Sequence, residues 1–329
     1  MTQLNDHHIP SLDPRKLLYF LTAVDCGSYA RAARELGVSQ STLSEHVSSL
    51  EAHLGRPLLT RSQTGVSVTE AGKMLYRHAQ LIVRQVRQAE QDVTQISNVA
   101  FGPVSLGLAT YGAASALALP ILRRVMERCP EVLLCVNDNF AGTLSESVIS
   151  GRIDLAVVYG AGPIKGVRLR SLFVEELFLF AAETAAIPGP PHGSILLSDL
   201  ASMRLLLPST IHFLRHVIER AFARIGISPD IAVEIDSFSA LRGALRANLG
   251  VSILPFAAFA EVAAEDHMQI RQIRQPRLEA MVSLGTSDQL PVTDSVRAVE
   301  NIILELVGEL TAAGATTGIR SLGHTLSPG

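Results

Sequence analysis

Tryptophan is absent and aromatic residues make up only 5% of the 329 residues. That is too few for a surface built to stack single-stranded bases or sugar rings. Three cysteines, Cys26, Cys129 and Cys135, form neither an even set nor a Cys-x-x-Cys pair. They exclude a disulfide framework and read as reduced thiols of a cytosolic protein. Charge is sparse as well. Lys, Arg, Asp and Glu together reach 18% with a net of −3, so the whole chain is no polycation gripping nucleic acid indiscriminately. The start, MTQLNDHHIP, lacks the basic region and apolar run of a secretory signal, and a cytoplasmic, nucleoid-associated location is expected. The uncharged stretch Val99–Leu122 is broken by Gly102, Pro103, Gly107, Gly112 and Pro120. It reads as strand, loop and helix of a core, not as a membrane span.

Catalytic signatures are missing too. There is no Gly-x-Ser-x-Gly elbow and no His-Glu-x-x-His helix. Gly65–Met74 spaces its glycines too widely for a phosphate loop and ends on Met74 where Ser or Thr is required. YGAGPIKG (Tyr159–Gly166) follows a strand, but Pro163 and the lack of a helical pattern after it exclude a dinucleotide site. His212 and His216 stand at i, i+4 on a helix without cysteine or acidic partners in view. Cys129 and Cys135 read as structural thiols. No catalytic residue, metal or cofactor is expected, and no enzyme.

What is present is apolar bulk: 47% of the residues are hydrophobic, enough to fill the cores of two or three domains. Residues 1–12 and 311–329 are small, polar and aperiodic and read as disordered tails. Residues 13–70 hold short helical patterns and a hairpin, and residues 69–100 a long helix. Residues 103–310 alternate β-rich runs with helical ones, which predicts an α/β architecture with mostly parallel strands. The balance of charge differs between these regions, +2 over residues 11–98 and −4 over 99–329. In the long helix, Leu75, Ala79, Ile82, Val86, Ala89, Val93 and Ile96 are spaced 4, 3, 4, 3, 4, 3, a heptad seam narrower than a core face. Capped by Thr69 and stopped by Gly102-Pro103, it is expected to pair two chains over roughly 43 Å.

Leu17, Phe20, Leu21 and Val24 recur at helical spacing, Ser28 can cap a second helix over Tyr29–Leu36, and Gly37 suits its end. Ser39 then caps a third helix whose Leu43, Val47, Leu50 and Leu54 share one face. Short polar side chains cover the other: Gln40, Ser41, Thr42, Ser44, Glu45 and Ser48. Close approach and base-edge hydrogen bonding in a major groove need this combination. Leu58–Arg61 and Val66–Thr69 flank a tight turn as a hairpin wing, placing Arg56 and Arg61 for phosphates or the minor groove. The DNA-binding set is therefore Ser39, Gln40, Ser41, Thr42, Ser44, Glu45, Ser48, Arg56 and Arg61.

The stretch Leu17–Ala79 resembles the winged helix-turn-helix of LysR-type transcriptional regulators at many fixed spacings. The resemblance implies that Gln40, Ser41, Ser44 and Glu45 present to bases and that Arg61 belongs to the wing. Two positions depart from the family pattern, which often has Pro at the place of Ser41 and Arg, Lys or Gln at that of Glu45. A carboxylate accepts from cytosine N4 but cannot make the bidentate guanine contact. Glu45 either reads cytosine or stands solvated, restraining non-specific binding by repulsion.

Beyond Val104 the order is strand, loop (Thr110–Gly112), helix (about Ala114–Arg128), strand (Val132–Val136), loop (Asn137–Ala141), helix and strand (Leu155–Tyr159). A second series from Leu205 to Pro255 follows, then Met281–Leu284 and a helix near Thr293–Leu310. Two lobes are expected, one of residues 103–165 with 278–310 and one of 170–275, crossed near 160–175 and 270–280. The cleft between them would be lined by Thr110, Tyr111, Asn139, Phe140, Pro208, Ser209 and Ser252 as effector-binding residues. GRIDLAVVYG and NLGVSILP resemble strand segments of the two-lobed, periplasmic-binding-protein-like effector domain of LysR-type regulators. GVSVTEAGKMLYRHAQ and NDNFAGTLSESVISGRIDLAVVYG are similar to the nitrogen-assimilation-control branch, which implies nitrogen-source genes and an inducer-free mode. The alternative is a catabolic operon with a small carboxylate or aromatic acid inducer. The expected partners are double-stranded promoter DNA, RNA polymerase and further copies of the chain as dimer or tetramer, with activation or repression left open. A solute-binding protein and an α/β enzyme are the rivals, disfavoured by the missing signal and the missing catalytic constellation.

Overall fold

The computed structural model describes residues 12–62, 65–94, 100–190, 193–259, 265–312 and 317–322. They form two compact units. In the first, helices α1 (Pro14–Cys26), α2 (Tyr29–Leu36) and α3 (Gln40–Leu54) precede a hairpin of β1 (Leu59–Ser62) and β2 (Gly65–Val68) and the long α4 (Glu70–Thr94). Each of the first three helices begins on a side-chain cap, Asp13, Ser28 or Ser39, which accepts an otherwise orphaned N–H. Each ends on a glycine in the left-handed region, where other residues are strained. Leu17, Phe20, Ala32, Leu43, Val47, Leu50 and Leu58 close a fully buried core.

Ala79 belongs to that same core, wholly buried, with Val83 beside it and Leu75 and Ile82 packed against it. This corrects the expectation of one continuous partner seam. The first turns of α4 lie against α1 and are spent inside their own domain. Farther along, Val86 is half-buried, Ala89 is exposed and Val93 is 78% exposed. Ile96 lies outside the described residues.

The second unit runs through β3 (Gly102–Ala109), α5 (Gly112–Ala116), α6 (Ala118–Arg128), β4 (Val132–Asn139), α7 (Ala141–Ile149), β5 (Leu155–Tyr159) and β6 (Val167–Ala182). It continues with β7 (Ile195–Leu196), β8 (Leu205–Leu207), α8 (Phe213–Arg224), β9 (Ile231–Glu234), α9 (Phe238–Arg246) and β10 (Ser252–Pro255). The last elements are β11 (Met268–Arg274), β12 (Glu279–Ser287), α10 (Asp294–Ala312) and β13 (Ile319–Ser321). The single helix expected near Ala114–Arg128 is two helices. Pro120 has no N–H for the Ala116 carbonyl, so the run restarts at Ala118.

Among the described residues, the strands around the crossing are antiparallel rather than mostly parallel. β3 pairs in parallel with β4 and β5, but β12 runs antiparallel to both β5 and β6. The cause is topological: a chain that leaves a lobe along one strand and returns along its neighbour must reverse direction. The crossing itself is a strand, not a linker. Val167–Glu176 of β6 pairs with β12, and Leu177–Ala182 with β10 and β11. The expected tail at 311–329 is also partly ordered: α10 reaches Ala312, and Ile319–Ser321 adds to β6 opposite Phe173–Glu175. No helix among the described residues is long and apolar enough to cross a membrane.

Gly72, in the first turn of α4, tests the packing of the first unit. A Cβ there would stand 2.1 Å from the Leu58 carbonyl oxygen and 2.7 Å from a Val68 methyl. Gly72→Ala is expected to destabilise this unit by roughly 1–3 kcal/mol, read as a lower midpoint in chemical denaturation.

Candidate nucleic-acid interface and effector cleft

The start of α3 is fastened by its own polar residues. Ser39 Oγ accepts the Thr42 N–H at 3.1 Å and lies 2.7 Å and 2.8 Å from the Ser41 and Thr42 hydroxyls. Gln40, Ser41, Glu45 and Ser48 are exposed, Thr42 and Ser44 are half-buried, and the apolar face of the same helix is sunk in the core. This makes one polar ridge on a rigid helix. Tyr19 packs edge-on against His46 at 4.7 Å and Lys16 donates to Ser49 at 2.9 Å, so one flank of the ridge is held by α1.

The hairpin is fixed to α3 by Glu51, a residue absent from the expected set. Its Oε1 accepts the N–H groups of Leu58 (2.7 Å) and Leu59 (3.0 Å), the first residues of the hairpin. Thr69 holds the other end. Its hydroxyl donates to the Pro57 carbonyl at 2.8 Å and accepts the Gly72 N–H at 3.0 Å, capping α4. Arg56 is exposed beside this joint, and the backbone of Arg61 pairs with Val66 in the hairpin. Exposed Arg31 and Arg34 on α2 add two cations that sequence reading passed over.

In the second unit, side-chain hydrogen bonds tie together the segments that follow β3, β5 and β8, and a buried carboxyl group lies among them. Glu175, in the middle of β6, is 1% exposed. Its Oε1 accepts the Ala113 N–H at 2.9 Å, and its Oε2 lies 2.8 Å from the Tyr159 hydroxyl, which also lies 3.0 Å from the Tyr111 carbonyl oxygen. Tyr159 has one proton for two acceptors. That proton serves Glu175 Oε2 or the Tyr111 carbonyl, one at a time. Burial pushes Glu175 up to about 7, against the lowering effect of its bonds from Tyr159 and Ala113.

Tyr111 closes the mouth. Its backbone has φ 71°, a strained value for a side-chain-bearing residue, and its ring is buried. Its hydroxyl donates to the Asp236 carbonyl at 3.1 Å. Burial raises Tyr111 to about 12, helped by the charges of Asp236 and Asp138, so it stays a donor. Phe140 packs edge-on against His212 at 4.5 Å, and Tyr111 lies 5.5 Å from the same ring. Ser209 donates to the Asp236 carboxylate through its N–H (2.8 Å) and its hydroxyl (2.9 Å). Burial raises Asp236, but these bonds and His212 more than offset it and hold the carboxylate below its usual value. His212 Nε2 lies 3.1 Å from Asp236 Oδ1, and burial pushes this imidazole down despite that neighbour.

The expected cleft residues therefore separate. Tyr111, Phe140 and Ser209 join one network across the two lobes. Thr110 and Asn139 sit at its edge, where the Thr110 N–H donates to the Asn139 carbonyl and the Asn139 side chain is turned back to the Phe140 N–H. Pro208 is buried, with its carbonyl spent on Arg215. Ser252 is a correction. It is fully buried in β10 opposite Phe180, inside the sheet, and its hydroxyl makes no hydrogen bond. Sequence reading missed Glu175, Tyr159, His212 and Asp236. A carboxyl group inside the apolar strand LFVEELFLF was the available signal. The view that His212 and His216 lack acidic neighbours also fails, since Asp236 and Glu219 stand beside them.

Residues 14–73 match the family model for bacterial regulatory helix-turn-helix proteins of the lysR family, and residues 98–307 match the LysR substrate binding domain. The chain belongs to the LysR family. It is a DNA-binding transcriptional regulator rather than an enzyme. It is 34% identical over 293 residues to the nitrogen assimilation regulatory protein nac of Klebsiella aerogenes, and 32% identical to that of Escherichia coli K12. Either match covers 89% of this chain and 94% of the relative. Among solved structures, a full-length OxyR variant from Pseudomonas aeruginosa shares its fold with a TM-score of 0.71 at 22% identity, over 90% of this chain and 97% of that one. The LysR-family regulator CbnR matches with a TM-score of 0.64 at 21% identity, over 89% and 99%.

For this LysR-family regulator, Glu175 sets a pH dependence whose sign is opposite to that of a salt-bridged carboxylate. Its folded value of about 7 exceeds the usual 4.5, so the folded protein binds this proton more tightly than the unfolded chain. The stabilisation is complete below about pH 4.5 and is lost as pH rises to about 7, a change of about 3 kcal/mol. Denaturation midpoints of wild type and Glu175→Gln are expected to lie closest below about pH 4.5 and to separate as pH rises to about 7, with wild type falling relative to the variant. Parallel curves would remove Glu175 as the cause.

Proposed function

We propose that this regulator binds promoter DNA as an oligomer, with the ridge Gln40–Ser48 in the major groove and Arg56 and Arg61 on the backbone or in the minor groove. The carrying observation is the exposed polar ridge on a helix capped at Ser39, whose opposite face is core. Ser39, Gln40, Ser41, Thr42, Ser44, Glu45 and Ser48 lie within reach of one groove on such a helix. Tetramer geometry, bending of the promoter and contact with RNA polymerase in the cytoplasm are the route by which the second unit changes transcription. The similarity to nitrogen assimilation regulators supports nitrogen-source genes as targets. The Glu175 carboxyl beside Tyr159 and the Asp236 carboxylate beside Ser209 speak against a small carboxylate inducer.

Pairing falls to the distal half of α4, since Ala79 is taken by the core. Val86, Ala89 and Val93 remain at heptad spacing on a half-buried or exposed stripe. Val86→Glu combined with Val93→Glu is expected to yield monomers in sedimentation while leaving the first unit folded. An oligomer of unchanged mass would move the interface elsewhere.

DNA recognition is tested by titrating fragments from nitrogen-controlled promoters across a salt series, beside random duplexes. Ser44→Ala is expected to cost about 1–3 kcal/mol on chosen sites and to shift base preference, whereas Arg61→Ala weakens all duplexes together and lowers the salt slope by about 1. Equal affinity for chosen and random DNA throughout the series defeats the reading.

A further inference from the structure

We propose that Glu175 is an internal ligand of the effector cleft: its carboxyl group occupies the donors, Ala113 N–H and Tyr159 hydroxyl, that a free carboxylate would need, so the cleft excludes small carboxylates. The inference rests on the proposed role of this cleft in sensing. Its readout is stability rather than DNA binding, so it stands or falls separately from promoter recognition.

Three observations carry it. First, the turn after β3 and the end of β5 are C-terminal ends of parallel strands, where α/β folds gather ligand-binding groups. The group that meets their donors is not a loop residue but a side chain from the middle of the crossing strand β6. Second, the turn is moulded around that group. Gly112 has φ 71°, and a Cβ there would lie 2.2 Å from the Tyr159 hydroxyl oxygen and 2.8 Å from Glu175 Oε2. A side chain at Gly112 and the carboxyl at Glu175 cannot both be accommodated. Third, the mouth is filled by the chain as well. The Tyr111 hydroxyl bonds a carbonyl of the opposite lobe, and Phe140 rests on His212.

A buried carboxyl group carries a desolvation cost that an apolar residue in the same run of Leu, Phe and Val would avoid. What an apolar residue cannot supply is an acceptor for the buried Ala113 N–H, which would otherwise be orphaned. Glu175 therefore does inside the chain what a bound carboxyl compound does from outside.

Truncation at this position removes a CH2 and a carboxyl group, the equivalent of one acetate. Full-length Glu175→Ala, Glu175→Gln and wild type are to be melted in tens of millimolar sodium acetate and in sodium chloride of equal ionic strength. Acetate is expected to raise the melting temperature of Glu175→Ala by about 2–4 °C over chloride. It is expected to leave wild type and Glu175→Gln unchanged, because their site is already filled. Should Glu175→Ala not survive purification, its refolding yield in acetate against chloride reads the same effect. An Ala variant indifferent to acetate, or all three proteins responding alike, overturns the proposal.

Discussion

Strand β6 belongs to both lobes at once, and the buried carboxyl group at its midpoint ties them to the cleft. Its first part is hydrogen-bonded to β12 and its last part to β10 and β11, so the lobes share a continuous backbone ladder. At Glu175 the ladder meets the β3–α5 turn and the end of β5 through one N–H and one hydroxyl. In so dry a place each bond is stronger than in water, and each unmade bond is more costly. The strained backbone of Tyr111 is held by the same group of contacts, since its carbonyl faces Tyr159 and its hydroxyl reaches Asp236. A movement of one lobe against the other must break at least the Tyr111–Asp236 bond and the Phe140–His212 contact. The lobes are thus coupled through identifiable bonds, the kind of element whose equilibrium an effector or partner can bias only by favouring one arrangement.

The first unit solves a different problem, that of presenting polar side chains on a body that does not yield. Helix α3 has its apolar face in the core and its N-terminus closed by Ser39. From its C-terminal half, Glu51 reaches the N–H groups that open the hairpin. One helix therefore both carries the reading ridge and positions the wing. Thr69 joins the hairpin to α4 in the same economical way, donating to Pro57 and capping the helix with one hydroxyl. Such double use makes the spacing between ridge and wing a property of covalent and hydrogen-bonded geometry rather than of loop flexibility.

Helix α4 shows how one periodic pattern can serve two surfaces. It has 25 residues and α1, on which it packs, has 13, so it outruns that partner. In its first turns Ala79 lies in the core beside Val83, with Leu75 and Ile82 packed against it. Those farther along emerge as an open stripe of Val86, Ala89 and Val93. The sequence records only apolar spacing and has no mark for which neighbour meets it.

Local signals were legible from the order of residues alone. Helix caps at Ser28 and Ser39, the glycine stops, the polar face of α3 and the pairing of the hairpin strands depend on interactions within a few positions, and so did the alternation of strands and helices. Long-range partnerships were not legible. That β6 is a strand crossing both lobes, that Ile319–Ser321 joins it, that Ser252 is interior and that Glu175 meets Ala113 and Tyr159 all depend on segments far apart in the chain. Those pairings follow from how the sheet closes, because a side chain's role as core, ligand or tie is set by whichever backbone groups the fold brings to it.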